Sequence, residues 1–377
     1  MNLAVPKETG DREKRVALTP EIAGKLADKG HRLLIESGAG TASNYPDRAY
    51  EEAGAEIADG REELFRQADI LIAIQCPPQA DLDRLSEGSL LICLLWALQE
   101  PELVDYLKDR NITALGMDAI PRISRAQNMD VLSSMSSIAG YKAALIGAQE
   151  LDRYLPMMMT AAGTIPPAKV LVLGAGVAGL QAIATAKRLG ARVEAFDIRP
   201  AVKEQVESLG ATFVEVPSAG ADTETEGGYA KELAEDEQER QRQVIHKHAA
   251  KSDIVITTAL VPGKKAPLLI TEAMVGDMHP GAVIVDLAAE QGGNCALTEA
   301  GETVDAGGVK IVGPLNLPSS LAYHASQLYA KNMQALLNHL LPEGELVLDF
   351  EDEITLNTTI THNGEIVSPM LKDHDSN

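Results

Sequence analysis

The stretch that decides the fold reads Val170-Leu171-Val172-Leu173-Gly174-Ala175-Gly176-Val177-Ala178-Gly179. An apolar strand pattern leads into glycines spaced as GxGxxG, and a helical pattern over 177–189 follows, closed by Gly190. In this arrangement the first glycine permits a tight turn, the second lets a pyrophosphate approach the backbone, and the third lets helix and strand pack closely. The helix N-terminus attracts the phosphate charge. The stretch therefore predicts a strand–turn–helix unit that binds a dinucleotide.

The acidic residue that such a site needs follows the next predicted strand, 192–196. Asp197 lies 18 residues beyond Gly179, where a carboxylate accepts hydrogen bonds from the ribose hydroxyls and repels a 2′-phosphate. This position predicts NAD(H) rather than NADP(H). Arg199 favours the opposite preference, because a basic side chain here can accommodate the 2′-phosphate.

Length and composition extend this unit to the whole chain. A chain of 377 residues is too long for one core, and 45% apolar with only 3% aromatic residues suits parallel sheets. Strand patterns alternate with helical ones, which indicates parallel sheets. The strands are predicted over 3–5, 32–35, 69–74, 89–94 and 112–115, and then over 169–173, 192–196, 254–258, 282–287 and 309–312.

Two long helical patterns, 133–154 and 322–341, connect the two series. The sequence therefore predicts an α/β protein of two Rossmann-like parallel-sheet domains separated by a cleft. The first domain is discontinuous, 1–132 with 320–377, and the second, 133–319, binds the dinucleotide. In the tail, 346–350 and 355–361 alternate, Asn363-Gly364 is a hairpin turn signal, and 365–367 is the return strand of a predicted C-terminal β-hairpin.

Charge and apolar runs exclude several classes of protein. A formal charge of −22 argues against nucleic acid and against unassisted binding to anionic lipid. The longest apolar run, 90–98, is less than half a membrane span. The start of the chain has no basic leader, and Cys76, Cys93 and Cys295 have no metal spacing. We therefore expect a cytoplasmic chain with reduced thiols and no metal.

Two polar segments leave alternatives open. The segment 121–134 is dense in hydrogen-bonding side chains at the predicted domain junction, so it is either the nicotinamide end of the site or an interdomain loop with a capped helix start. The segment 218–228 and the charged helical pattern 230–250 are either solvated surface or a mobile lid with Tyr229 near its tip.

Several motifs together resemble a known family over essentially the whole chain. The opening Pro6-Lys7-Glu8 and the stretch 13–20 are similar to those of alanine dehydrogenases and proton-translocating transhydrogenases. The segments 122–133 and 137–143 resemble the transhydrogenase version. Further matches are Gly227-Gly228-Tyr229-Ala230-Lys231, Thr257-Thr258-Ala259-Leu260-Val261-Pro262-Gly263, Asp286-Leu287-Ala288 and Gly292-Gly293-Asn294.

The resemblance implies the soluble NAD(H)-binding component of a transhydrogenase. Such a component forms a homodimer and lies on the cytoplasmic face of the inner membrane through a membrane-spanning proton-channel subunit, and a separate NADP(H)-binding component receives the hydride. The membrane helices would then belong to another polypeptide. Arg122, Gln127, Asp130 and Ser133 would position the nicotinamide, with Tyr229 on a mobile loop. The candidate cofactor-binding residues are Gly174, Gly176, Val177, Ala178, Gly179, Asp197, Ile198, Arg199, Thr258 and Ala259.

An amino-acid dehydrogenase of the alanine type is the main alternative. By resemblance, its chemistry needs a lysine from a strand reading Lys-Val-Lys-Glu-Pro and a histidine before Glu100. This chain has Ala73-Ile74-Gln75-Cys76-Pro77 and Trp96 at those places. Many transhydrogenases keep a lysine where this chain has Ala73. Hydride transfer between two nicotinamides needs orientation and shielding from water rather than an acid–base pair, which favours transhydrogenation. A nucleotide-sensing binding module is the third hypothesis.

Overall fold

The computed structural model describes residues 1–216, 235–261 and 264–374. The chain divides into two compact units, Met1–Met135 with Pro318–Asn377, and Ser136–Leu317. Each unit contains one large, mainly parallel sheet, and the second also contains a two-stranded ribbon. The α/β fold class with two Rossmann-like sheets is thereby confirmed.

The first unit is built on an eight-stranded sheet. Its strands are β1 (Asn2–Val5), β2 (Arg32–Glu36), β3 (Glu56–Ala58), β4 (Ile70–Gln75), β5 (Leu90–Leu94), β6 (Thr113–Gly116), β16 (Thr359–His362) and β17 (Glu365–Ile366). Their order is β17-β16-β6-β5-β4-β1-β2-β3, and the strands from β6 to β3 are parallel. Strand order therefore reverses between β1 and β4.

Helices of the first unit cover this sheet. They are α1 (Pro20–Ala27), α2 (Asp47–Glu52), α3 (Arg61–Gln67), α4 (Gln79–Leu82), α5 (Pro101–Asp109), α11 (Ala322–Leu340), α12 (Glu353–Thr358) and α13 (Pro369–His374). All five residues of β5 are buried, and so are the first five of β4, as continuous apolar runs require. Thr19 is the N-cap of α1 and Pro20 its first residue, as their order in the sequence predicts.

The C-terminal region differs in part from its predicted structure. The hairpin around Asn363-Gly364 is present, with β16 and β17 antiparallel. The strand predicted over 346–350 does not form, and the one predicted over 355–361 is wrong in its first half, where α12 lies. The cause is local: the Asp352 side chain accepts a hydrogen bond from Ile354 N and caps a helix. Buried Ile354, Thr355 and Thr358 then follow a helical period.

The second unit has the doubly wound strand order of a dinucleotide-binding fold. Its large sheet contains β9 (Lys169–Leu173), β10 (Arg192–Phe196), β11 (Thr212–Phe213), β12 (Ile254–Thr257), β13 (Val283–Asp286), β14 (Thr303–Ala306) and β15 (Val309–Val312). Their order is β11-β10-β9-β12-β13-β15-β14, and only the edge strand β14 is antiparallel. Strand order reverses between β9 and β12. The helices are α7 (Val177–Arg188), α8 (Lys203–Ser208), α9 (Glu235–Ala249) and α10 (Glu272–Gly276).

A long helix and a short ribbon precede the large sheet of the second unit. The helix α6 (Val131–Glu150) begins two residues before its predicted start and ends four before its predicted end. The ribbon joins β7 (Met158–Thr160) and β8 (Gly163–Ile165), neither of which the sequence pattern predicted. The proposed lid segment with Tyr229 lies outside the described residues. Within the ranges that the structure describes, no helix is long and apolar enough to span a bilayer.

Candidate functional site

The glycine turn between β9 and α7 is built so that two of its three glycines touch protein and one faces open space. Gly174 has a φ of +99°, and a Cβ there would lie 2.5 Å from Thr258 Oγ1. A Cβ on Gly179 would lie 1.9 Å from the Gly174 carbonyl oxygen. A Cβ on Gly176 would meet nothing within 4 Å. This is the geometry that the motif needs if a phosphate is to approach the backbone at Gly176.

The helix that follows the turn presents a bare N-terminus. Gly176 is the N-cap of α7, and no side chain caps it. Its first residue, Val177, is 44% exposed, and Ala178 is exposed as well. The N–H groups of a first turn carry a partial positive charge. The start of α7 can therefore take an anionic group.

Asp197 lies beside the glycine turn, at the end of β10. One carboxylate oxygen accepts a hydrogen bond from Ala175 N at 2.7 Å, and the other accepts from Arg199 N at 2.9 Å. The Arg199 guanidinium also donates to both oxygens, at 2.9 and 2.8 Å. Ile198, between them, packs against the core. Ribose hydroxyls that bind Asp197 would compete with Arg199 for the same oxygens.

The end of β12 meets the glycine turn where the strand order reverses. Ligands of doubly wound sheets bind outside the carboxyl ends of the strands at this point. Thr258 Oγ1 lies 3.2 Å from the Gly174 carbonyl oxygen and 3.3 Å from that of Leu173. Ala259 follows, and the buried side chain of Asn294 bonds both its N–H and its C=O. Asn294 was not among the predicted site residues.

The polar segment before α6 combines capping with exposed side chains. Asp130 accepts hydrogen bonds from Ser133 N at 2.8 Å and Ser133 Oγ at 2.6 Å, so these two residues form the start of the helix. Arg122 and Gln127 are exposed. The structure therefore pairs Asp130 with Ser133 and leaves the side chains of Arg122 and Gln127 accessible to a ligand.

Two contacts fix this segment to the rest of the first unit. Asn332 of α11 donates to the Asn128 carbonyl at 2.8 Å, and Arg125 forms a 2.8 Å ion pair with Asp352. Asn332 is buried on the inner face of an amphipathic helix. Its place in the helical period is that of any inward-facing residue, so the sequence carries no signal of this contact.

A second polar cluster, absent from the predicted site, lies where the first sheet reverses its strand order. Glu8 accepts hydrogen bonds from Ile74 N at 2.6 Å and Gln75 N at 3.3 Å. Desolvation raises the pKa of Glu8 to about 7, against the lowering effect of these bonds. Glu13 and Arg15 form a buried ion pair nearby at 2.6 Å. The signal that could have revealed the cluster is the run of charged residues in the opening motif.

The two positions that separate the candidate activities are both well defined. Ala73 is buried in β4, and its carbonyl accepts a 2.7 Å hydrogen bond from Tyr329. Trp96 follows β5 with a φ of +50°, and Asp118 accepts hydrogen bonds from Leu95 N and Trp96 N. Burial raises the pKa of Asp118. Neither Ala73 nor Trp96 can move a proton for an amino-acid substrate.

Potential metal ligands do not cluster in the part of the chain that the structure describes. No group of three His, Cys, Asp or Glu side chains there could hold an ion. The three cysteines are free thiols, and burial raises the pKa of Cys93 and of Cys295.

Comparisons with known proteins agree with this geometry. Models of the alanine dehydrogenase/PNT N-terminal and C-terminal domains match residues 4–139 and 143–369. The first segment of the split NAD(P) transhydrogenase subunit alpha of Rhodospirillum rubrum is 51% identical over 98% of this chain and 99% of that protein. Alanine dehydrogenase of Bacillus subtilis is 33% identical over 78% of this chain and 72% of that protein.

A solved structure extends the likeness to the whole fold. The crystal structure of transhydrogenase from Sinorhizobium meliloti matches with a TM-score of 0.89 and 43% identity, over 97% of this chain and 100% of that one. The chain therefore belongs to the alanine dehydrogenase/PNT family, and it is more similar to these transhydrogenases than to the Bacillus alanine dehydrogenase.

Proposed function

We propose that the chain is the NAD(H)-binding subunit of a proton-translocating NAD(P) transhydrogenase. Hydride passes directly from NADH to NADP⁺ held on a partner component, and the transfer is coupled to proton movement through a separate membrane subunit. The observation that carries the proposal is the combination of a complete dinucleotide turn with Ala73 and Trp96 at the positions where an alanine dehydrogenase needs its lysine and histidine. The chain can hold a nicotinamide cofactor but lacks those two groups for amino-acid chemistry.

The residues of the second unit would hold the adenosine and pyrophosphate of NAD(H). The open side of Gly176 and the start of α7 take the pyrophosphate, since no protein atom would lie within 4 Å of a Cβ there. Asp197 takes the adenosine ribose, with Arg199 displaced from at least one of its oxygens. Ile198, Thr258 and Ala259 complete the cofactor-binding set.

The polar segment of the first unit would orient the nicotinamide. Arg122 and Gln127 offer exposed polar groups for a carboxamide, and the pair Asp130–Ser133 fixes the end of the segment. Tyr229 belongs to the proposed lid. Because NADH loses a hydride and NADP⁺ gains it, no proton is exchanged with the protein at the reacting carbons. The work of these residues is to hold one ring against the other and exclude water.

The proposal includes the assembly that such a reaction needs. The chain acts as a homodimer with an NADP(H)-binding component and a membrane-spanning proton-channel subunit, at the cytoplasmic face of the inner membrane. Exposed apolar side chains on and beside the β7–β8 ribbon support a protein–protein contact there: Tyr154 and Met157 are each 57% exposed and Met159 is 75% exposed.

The test mixes the purified chain with a soluble NADP(H)-binding transhydrogenase component and follows hydride exchange between NADH and an NADP analogue of shifted absorbance. Each protein is omitted in turn. Gly176→Ala should fold normally and abolish exchange, because its Cβ meets no protein atom but occupies the space of the pyrophosphate. Gly276→Ala, which also meets nothing within 4 Å, is the matched control. Gln127→Asn should slow exchange while NADH still binds.

The outcomes separate the alternatives. Exchange that needs both proteins and fails in Gly176→Ala supports the proposal. NADH oxidation by the chain alone with pyruvate and ammonia would instead establish an alanine dehydrogenase. NADH binding without transfer to a competent partner would leave a nucleotide-sensing module.

A further inference from the structure

A buried polar network stands behind the end of β12. At its centre is Asp286, the last residue of β13, which has no exposed surface. Its carboxylate accepts five hydrogen bonds at 2.7 to 3.0 Å, two from hydroxyls and three from backbone N–H groups. The donors are Thr257 Oγ1, Thr298 Oγ1, Ala288 N, Asn294 N and Cys295 N. A carboxylate this completely satisfied can fix the loop 288–298 in one conformation.

The fixed loop aims one amide side chain at the end of β12. Asn294 is fully buried, and its Oδ1 accepts from Ala259 N at 3.0 Å. Its Nδ2 donates to the Ala259 carbonyl at 2.9 Å and to the Pro267 carbonyl at 2.8 Å. The amide thus bonds both backbone groups of Ala259, as a neighbouring strand would, at the point where β12 has ended. The backbone at Ala259 is therefore held by a side chain rather than by the sheet.

From this geometry we infer that Asn294 is a positioning residue for the cofactor site. It holds the segment Thr258–Leu260 against the glycine turn, and the inference rests on the proposed function. The strand order places β10 with Asp197 on one side of β9 and β12 on the other. If Asp197 takes the adenosine ribose, the segment held by Asn294 faces the nicotinamide half of the cofactor. Asn294 consequently acts on NADH binding and leaves binding of the adenosine half unaltered.

The test compares the affinities of the full chain and its variants for NADH and for 5′-AMP, by equilibrium dialysis at a temperature where circular dichroism shows the variants folded. Asn294→Ala should weaken NADH binding at least tenfold and change AMP binding less than twofold. Asn294→Ser should give a smaller loss, because its hydroxyl can keep one hydrogen bond. Ser252→Ala is the matched control, since Ser252 is also buried and bonds the His248 carbonyl just before the opposite end of β12.

Each outcome bears on the inference. Equal NADH affinity in Asn294→Ala and the wild type would overturn it and leave the proposed function intact. A parallel loss of NADH and AMP binding, or a loss of folding in both Asn294 variants, would show a purely structural role and overturn it as well. A wild-type chain that binds AMP but not NADH would overturn the proposed function together with the inference.

Discussion

The carboxyl group of Glu8 lies against the end of β4 and accepts hydrogen bonds from two backbone N–H groups. Desolvation nevertheless raises its pKa from 4.5 to about 7, and the nearby negative charge of Glu13 adds to the rise. Below pH 4.5 the group is protonated in both the folded and the unfolded chain. As the pH rises from 4.5 to 7, the unfolded chain loses this proton first, so stability falls.

Glu8→Gln removes this titration. We expect the variant to gain about 2 kcal/mol of unfolding free energy relative to the wild type between pH 4.5 and pH 8, because a rise from 4.5 to about 7 sets an upper limit of about 3.4 kcal/mol. Urea unfolding across this range measures the difference. Glu345→Gln, at an exposed position, is the control and should show no such trend. A difference that stays constant with pH would contradict the assignment.

Asp197 and Arg199 make the second prediction at this scale. In Asp197→Asn, the amide can still meet the ribose hydroxyls but no longer repels a 2′-phosphate, and the guanidinium of Arg199 loses its ion pair. We expect NADH affinity to fall about tenfold, or about 1.4 kcal/mol, and NADPH affinity to rise. Fluorescence titration with each nucleotide measures both. Asp305→Asn, in β14 where the side chain caps the turn to β15, is the control, and unchanged discrimination would refute the role of Asp197.

At the scale of elements, one close contact between helices supports the glycine turn. A Cβ on Gly140 of α6 would lie 2.0 Å from the Ala178 carbonyl oxygen in the first turn of α7. Gly140→Ala should therefore push the helices apart, cost about 2 kcal/mol of unfolding free energy and weaken NADH binding. Chemical denaturation and NADH titration test both effects. Gly276→Ala in α10 should be neutral or slightly stabilising, and equal effects of the two variants would contradict the contact.

The elements that the sequence predicted well are those whose pattern is complete within one segment. β9, β10 and β15 have their predicted bounds, because each is a short apolar run between turn residues. The edge strands β3, β11 and β14 have two to four residues and mixed polarity, so periodicity cannot reveal them. The β-branched residues around Thr355 favour a strand by propensity, but the Asp352 cap forms a helix.

The same limit applies to the site. The glycine turn and Asp197 follow from local spacing, and their contacts lie within one βαβ unit. Asn294 meets Ala259 across 35 residues, and Glu8 meets Ile74 across 66. Nothing in the sequence near Asn294 or Glu8 specifies those partners, since they are set by which strands become neighbours in the sheet. The residues that support a site from behind therefore needed the structure.

At the scale of the whole molecule, both units use the same topological feature. Each has a parallel sheet whose strand order reverses once at its centre, between β1 and β4 and between β9 and β12. In the second unit the crevice at this point is lined by glycine and left open at Gly176, as a ligand site requires. In the first unit the Glu8 carboxyl bridges from the end of β1 to the end of β4. The two sheets thus share a topology and differ in whether protein side chains occupy the crevice.

The β7–β8 ribbon is the place where assembly can be tested. Met159 is 75% exposed on a two-stranded ribbon that has no third strand among the described residues, and isolated ribbons are marginal without packing. If the ribbon packs in the proposed homodimer, Met159→Glu should bury a charge at the contact and weaken dimerisation at least tenfold, or about 1.4 kcal/mol. Sedimentation velocity over a concentration series measures this. Met370→Glu, at a 38% exposed position of α13, should leave the dimer unchanged. A Met159→Glu chain that dimerises like the wild type would place the contact elsewhere, and a wild-type chain that is monomeric at all concentrations would remove the homodimer from the proposal.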